Sequence, residues 1–425
     1  MKTKSRIARS IPQDESPLRH LPLVDLLVDT RTELFELAMR SGLKVFTAML
    51  EEDRTAVCGP RYAHELDRPA SRAGTVRSEV VLGGRKVAIQ RPRVRTADGE
   101  VALPTFQTMA RRDPLDRRVV EQMLVGVATR QYARSLEPIT AEIESRGTSK
   151  SAVSRRFVAK TRAQLETWQA APLDGLDLVA LRLDGVHVGA HCLIVALGVA
   201  ADGDQHALGI WEGSTENAAV CQSLLSNLQS RGLRTDRSLL VLLDGSKALR
   251  KAVRETFGDA ALVQRCQIHK LRNILDHLPE RQRPWVKAIR QRAYRNADVA
   301  TATRLLRDLV KRLEVDHPSA AESVREGLEE TLTIIALGLA DSLRRSLSTT
   351  NAAESLISRT RHVKRNVKRW RGGQMVLRWV AAGVLEAVKG FRRLKGHKEM
   401  PKLVAALRAR DQQLGLVGND AEKVA

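Results

Sequence analysis

Two short apolar runs, each closed by the same dipeptide, constrain this chain more than any other feature. Leu-Val-Ala-Leu-Arg-Leu ends at Asp184-Gly185, and Ser-Leu-Leu-Val-Leu-Leu ends at Asp244-Gly245. A continuous apolar run of this length, bounded by glycine, reads as a buried strand. The chain therefore sets two carboxylates at the ends of two core strands. Ends of strands in mixed α/β sheets are where ligands and metals are held.

The surroundings of the two runs give them an order. His191 to Ala201 and Gln205 to Trp211 read as strands joined by Asp202-Gly203, a hairpin signal. Residues 216–232 read as a helix closed by Gly232. After Asp244 come a helix from about Lys247, a short strand at 261–264 and a helix from about Gln267. Three meandering strands, a helix and a parallel-type strand follow the order of an RNase H-like fold. In that fold the ends of the first and fourth strands adjoin, so Asp184 is expected beside Asp244.

Charge points to the partner. Lys+Arg 71 against Asp+Glu 49 gives a formal net charge of +22. A balance this basic favours a polyanion, with nucleic acid the first candidate. A merely soluble basic protein is the bland alternative. An anionic membrane is disfavoured, because no strongly amphipathic basic terminus stands out. The longest apolar runs, near 192–201 and 331–340, reach about half of the roughly 20 residues that span a bilayer. Four widely spaced cysteines do not form a disulfide framework. The expectation is a soluble cytoplasmic protein with no membrane segment.

At 425 residues the chain is too long for one ordinary domain. Residues 1–75 read as an N-terminal helical region whose first 19 residues are a polar, disordered tail; its helical spacing from Leu21 to Leu50 breaks at Ser41-Gly42. Residues 76–110 read as a small β unit, with a hairpin across Gly83-Gly84. Residues 111–170 regain helical periodicity from Asp116, with a second helix over about 130–145 and another opening at Ala152. That pattern resembles a helix-turn-helix whose N-terminal residues Lys150, Ser151, Arg155 and Arg156 meet the major groove. An ordinary helical hairpin with exposed basic residues explains it equally simply. Residues 175–280 form the first part of the core, 281–345 an all-α insertion without strand signals, 346–410 the last core helices with a basic segment, and 411–425 a polar tail.

Two close carboxylates cannot both stay ionised without help, because like charges raise one pKa. A divalent cation removes the conflict, and carboxylates with water are what Mg²⁺ prefers. Two such ions activate a nucleophile and stabilise the leaving oxygen of a phosphodiester. A two-metal site calls for a third carboxylate. Glu354, the only acid between Asp341 and Glu386, is the candidate. It also stands three residues after Asn351, the spacing of a capping box, which needs no catalytic role. Seven cations, Arg359, Arg361, Lys364, Arg365, Lys368, Arg369 and Arg371, then follow without an acid and read as a phosphate-tracking face. Trp370 and Trp379 interleave: Trp379 reads as core, and Trp370 as a base-stacking candidate. Cys266-x-x-His269 is half of a zinc site, but no second pair stands at useful spacing.

Together these residues carry a resemblance. Asp184-Gly-Val-His187, Leu-Gly209-Ile-Trp211-Glu-Gly-Ser-Thr-Glu216-Asn217, Asp244-Gly-Ser-Lys-Ala-Leu-Arg250, Gln264-Arg265-Cys266-Gln-Ile-His269-Lys-x-Arg272-Asn273 and Ser348-Thr-Thr-Asn351-Ala-Ala-Glu354-Ser355 make the chain resemble the Mutator-type transposases of bacterial insertion sequences. The resemblance covers about 75 to 405. It implies a DDE transposase, with Asp184, Asp244 and Glu354 on the family's metal-binding triad for two Mg²⁺ (or Mn²⁺) ions. It places the helical segment on the family's insertion, and puts Cys266 and His269 near the active site, with His187 as a further supporting residue. It implies double-stranded DNA as partner, both terminal inverted repeats and target, and a homodimer when assembled on paired ends in the bacterial nucleoid. The rival readings are a non-catalytic DNA-binding regulator derived from a transposase and a structure-selective nuclease of RNase H type.

Overall fold

A computed structural model describes residues 23–63, 69–111, 116–136, 139, 142–213, 218–364, 367 and 369–416. The expected polar tail at 1–19 lies outside the described residues, as do Arg365 and Lys368. The chain divides into two compact units: residues up to 116 with 131–149, and 117–130 with 150 onward.

The first unit is a long helix on a small antiparallel sheet. Helix α1 (Leu23–Cys58) precedes β1 (Ala70–Leu82), β2 (Arg85–Thr96), β3 (Gly99–Val101) and α2 (Pro104–Arg111), and β4 (Ser145–Gly147) returns to pair with the start of β2. Gly83 and Gly84 turn β1 into β2 at φ +65° and +75°. A two-residue hairpin of this kind needs positive φ at both centres, which glycine adopts without strain. The break expected at Ser41-Gly42 does not occur, and α1 runs through it. An interior glycine costs a helix about 1 kcal/mol. Burial of Met39, Phe46 and Leu50 against the sheet outweighs that, at roughly 1.5–3 kcal/mol per side chain.

The expected helix-turn-helix is also not formed. Residues 132–135 make one turn of 3₁₀ helix, and 145–147 are strand β4, hydrogen-bonded to β2. Thr148 Oγ1 donates to the Gly84 carbonyl at 2.9 Å, and a Cβ on Gly147 would lie 2.9 Å from Ala133 Cβ. Local periodicity cannot register a strand partner some sixty positions away, so a helix was the only local solution on offer.

The second unit contains α3 (Asp116–Leu124), α4 (Lys150–Ala170), β5 (Leu178–Val188), β6 (His191–Ala200), β7 (Gln205–Gly213), α5 (Ala218–Ser230), β8 (Leu239–Leu243), α6 (Lys247–Phe257), β9 (Ala261–Arg265) and α7 (Gln267–Asp276). Helices α8 (Arg283–Arg295), α9 (Val299–Glu314), α10 (Pro318–Arg325), α11 (Thr333–Ala336) and α12 (Asp341–Leu347) follow with no intervening strand. The unit ends with α13 (Asn351–Lys364), α14 (Gly373–Val388) and α15 (Met400–Leu414), the last of which makes part of the expected polar tail helical.

Its sheet has the order β7-β6-β5-β8-β9. Strands β5, β6 and β7 form an antiparallel meander, while β5, β8 and β9 run parallel. One face is closed by α5 and α6, whose Leu224, Leu225, Leu228, Leu249 and Val253 pack on Leu181, Leu183 and Ile194. On the other face, α4, α13 and α14 cover the meander, and α8 to α12 with α15 cover the parallel half. Side chains alternate along a strand, so Ala180, Arg182, Asp184, Val186 and Val188 share that second face. Ala180 belongs to the apolar cluster under the helical segment, and Val186 and Val188 belong to the cluster under α14. Arg182 and Asp184 are the polar break between the two.

Helix α4 is a core helix over most of its length. Val153, Phe157, Thr161, Leu165 and Trp168 are buried. The Phe157 and Trp379 rings lie 4.4 Å apart, and Trp168 Nε1 donates to the Ala207 carbonyl at 2.8 Å. Lys150, Ser151 and Arg155 remain exposed, whereas Arg156 is half-buried.

Candidate active site

The parallel pairing of β5 with β8 aligns Leu183 with Leu243. Asp184 and Asp244 are the next residues along the two strands: β8 ends at Leu243 as expected, but β5 does not end at Asp184-Gly185 and continues to Val188, because β6 goes on pairing with it. Asp184 is 3% exposed. Asp244 leaves the strand, and its Oδ1 accepts from the Ser246 backbone N–H at 2.9 Å. Gly245 between them has φ +112°, and a Cβ there would meet Arg265 Nε at 2.7 Å. The second Asp-Gly pair therefore reflects a backbone turn and a close approach that only glycine permits.

Glu354 arrives on the first turn of α13. Thr350 caps that helix through its carbonyl, which accepts from the Ala353 and Glu354 N–H groups. Asn351 is already inside the helix, and its N–H donates to Thr349 Oγ1 at 3.4 Å. The Glu354 carboxylate is engaged elsewhere, 3.3 Å from His269 Nε2 and 3.4 Å from Arg272 Nη1. The capping-box alternative is thus not what this side chain does.

Cys266 and His269 tie the carboxylate elements together. Cys266 opens α7, and its N–H donates to the Leu243 carbonyl at 2.7 Å. Its buried sulfur accepts from the Thr350 N–H at 3.5 Å and from Thr350 Oγ1 at 3.6 Å. Thr350 Oγ1 lies 3.4 Å from His269 Nδ1. Strand β8, helix α7 and the start of α13 are thereby held at one point. His187 is not brought there. It lies an odd number of residues from Asp184 on β5, so it points to the opposite face, and it is exposed.

The electrostatics follow from this crowding. Burial, and then the charge of Asp244, raise the Asp184 carboxyl to about 8; His269 opposes the shift and Glu354 adds to it. The hydrogen bond to Cys266 raises the His269 imidazole to about 9, with the charges of Cys266, Asp184 and Glu354 acting in the same direction against burial. Burial pushes the Cys266 thiol up, but its hydrogen bonds to His269 and Thr350 outweigh that and leave it lowered. Among the described residues, no group of three or more His, Cys, Asp or Glu side chains is placed so that it could hold a metal ion.

Sequence reading passed over several residues that build this site. Arg272, which stands out in the sequence only as one residue of a longer motif, is the second partner of Glu354. Arg265 and Lys270, both buried, donate to the Glu326 carbonyl from Nη1 and Nζ. Arg265 Nη2 also donates to the Gly245 carbonyl at 3.1 Å. Burial brings Lys270 down to about 8. The Gln-Arg-Cys-Gln-x-x-Lys run is therefore a clamp between the turn after Asp244 and the helical segment, and Gln264 extends it by binding the Thr331 carbonyl and the Ile334 N–H. The signal that marked these residues was charge and polarity directly after an apolar strand.

Of the basic run, Arg369 and Arg371 are exposed, and Arg359, Arg361 and Lys364 lie on α13. Trp379 is buried, as expected, and Trp370 is half-buried against the cluster under α14. All four cysteines are free thiols. No helix among the described residues is long and apolar enough to cross a membrane.

Residues 27–393 match the family profile described as Transposase, Mutator family. The chain is 26% identical over 384 residues to the transposase for insertion sequence element ISRM5 of Rhizobium meliloti (strain 1021), covering 89% of this chain and 94% of the relative. It is 24% identical over 342 residues to the transposase for insertion sequence element IS256 in transposon Tn4001 of Staphylococcus aureus, covering 76% and 83%. It is 28% identical over 244 residues to the transposase for insertion sequence element IS6120 of Mycolicibacterium smegmatis, covering 56% and 73%. A family profile that spans most of the chain, together with relatives of the same kind along nearly its whole length, makes this protein a member of the Mutator family of transposases.

Proposed function

We propose that this transposase binds the terminal inverted repeats of an insertion sequence as a homodimer, cleaves a strand at each end, and joins the freed 3′-OH to target DNA. The observation that carries the reading is the adjacency of Asp184 and Asp244 at the ends of the β5–β8 pairing, with Asp184 raised to about 8 by burial and by the charge of Asp244, and with Glu354 of α13 acting on it as well. The strand order and the uninterrupted helices α8 to α12 support an RNase H-like core with an all-α insertion.

The three carboxylates fit Mg²⁺ or Mn²⁺ by the chemistry of their donors, although as they stand no three of the described side chains are placed to hold an ion. The donors are all oxygen, and the strained Asp184 carboxyl is one that a cation would relieve of its proton. Asp184 and Asp244 would hold such ions jointly, and Glu354 would complete the set. When bound, two ions supply Lewis-acid activation of the attacking oxygen and stabilisation of the leaving oxygen in a phosphodiester.

The chain's own groups prepare that chemistry. His269 stays protonated at neutral pH and sets a positive charge against Glu354. Arg272, more than half exposed, holds the same carboxylate from the solvent side and presents its remaining N–H groups to an incoming phosphate. The Cys266–Thr350 contacts fix where α13 starts, and so where Glu354 stands. Cleavage of a duplex bearing the element's end, compared across wild type, Asp184→Asn, Asp244→Asn and Glu354→Gln, tests the assignment. Loss of cleavage with retained binding in all three is expected; Mg²⁺-dependent cleavage by any of them overturns it.

A further inference from the structure

Helix α6 begins three residues after Asp244, capped by Ser246, whose Oγ accepts from the Leu249 N–H at 3.3 Å. Its buried face is Leu249, Ala252, Val253 and Phe257. Its outer face carries Lys247, Arg250, Lys251 and Arg254, at spacings i, i+3, i+4 and i+7, which align on one side of a helix. All four are exposed. They line a cleft of about 510 Å³ whose floor is Leu243 and Val263, beside the strand end that carries Asp244. An adjoining cleft of about 580 Å³ shares Arg250 and continues past Arg307 and Lys311 of α9.

The ion pairs on this stripe are few. Arg250 meets Glu330 at 2.6 Å, and Lys251 meets the exposed Glu255 at 3.8 Å. An exposed pair at that separation is worth little. A solvated helix face ordinarily mixes its signs; α6 itself carries four cations and one glutamate, Glu255, with Glu326 and Glu330 lining the opposite side of the cleft. From Lys247 to Arg254 the helix rises about 10 Å, roughly three phosphate steps along one DNA strand.

We infer that the α6 stripe is a phosphate-tracking surface, which holds the backbone of duplex DNA beside the carboxylate site without reading its sequence. The inference rests on the transposase reading above and adds to it the surface that delivers the scissile strand. Arg250 serves partly to brace Glu330, so Lys247, Lys251 and Arg254 are the contacts free to release counterions. Arg307 and Lys311 extend the path away from Asp244.

The test measures affinity for a duplex of arbitrary sequence across a series of salt concentrations, in the full chain. Three proteins are compared: wild type, the triple variant Lys247→Gln/Lys251→Gln/Arg254→Gln, and a control triple variant, Arg292→Gln/Lys402→Gln/Arg408→Gln. The control removes the same charge from exposed sites on α8 and α15. Each lost phosphate contact lowers the slope of log K against log salt by about 0.9. The stripe variant is expected to lose about 2 to 3 from the slope and the control less than 1, with both keeping the wild-type unfolding transition. An unchanged slope in the stripe variant overturns the inference, as does an equal fall in the control, which would make the effect one of net charge alone. Failure of the wild type to bind duplex DNA would instead count against the proposed function.

Discussion

Asp184→Asn keeps the size of the side chain and removes its charge. In the fold the carboxyl is held at about 8, against an ordinary 3.8. An acid whose folded pKa is raised destabilises the fold once pH exceeds its unfolded value, because the unfolded chain ionises freely and the folded one resists. The cost is absent well below pH 4, grows as pH rises, and is complete above about pH 8. At pH 7 roughly three units are in play, or about 4 kcal/mol at ~1.4 kcal/mol per unit. That is an upper figure, since the amide in the variant needs partners of its own. Thermal unfolding of wild type and variant, in chelator, at several values between pH 4 and 8 reads the difference. The variant should match wild type at pH 4 and unfold several degrees higher at pH 7 and 8. Adding Mg²⁺ should raise the wild-type midpoint and leave the variant's nearly unmoved. A variant less stable than wild type at pH 8, or a gap that does not change with pH, would refute the account of strained carboxylates.

Gly245→Ala places a Cβ against Arg265, which is held by Glu326 and the Gly245 carbonyl; a loss of about 1–3 kcal/mol in denaturant unfolding is expected, and a neutral result would show that the turn relaxes freely. Trp379→Ala removes the partner of Phe157 and should cost about 3–5 kcal/mol by the same measurement, with a loss below 1 kcal/mol contradicting its place in the core. Chelation of divalent ions should stop strand cleavage and leave duplex binding in a gel-shift assay, so cleavage in excess chelator would remove the metal from the mechanism. Arg155→Gln, at the exposed start of α4, should weaken binding to the element's ends; unchanged affinity would take that helix end out of the interface.

The elements most legible in the sequence were those whose signal is local. The runs before Asp184 and Asp244, the Gly83-Gly84 hairpin and the Asp202-Gly203 hairpin depend on side-chain period and on backbone conformations that few residues adopt, and each appears where the pattern places it. The misreadings fall where a distant partner decides. Ser145–Gly147 looks like a turn between helices until β2 supplies its hydrogen bonds. Ser41-Gly42 looks like a break until the sheet beneath α1 offers more burial than glycine costs.

The two apolar strands leading to Asp184 and Asp244 were determined by the sequence itself, because apolar continuity buries a strand whatever lies elsewhere in the chain; where each strand ends was not, since β8 stops at Leu243 whereas β5 runs on through Asp184-Gly185 to Val188, paired throughout with β6. Nor was the partner of Glu354. Glu354 fitted a helix cap and a site equally well in one dimension. The tertiary structure takes it away from the cap, by bringing α7 across the start of α13 so that His269 and Arg272, more than eighty positions earlier, hold its oxygen. The physical reason is range: strand and turn signals act over a few residues, whereas the partner of a charge is chosen by whatever the folded core sets within hydrogen-bond reach.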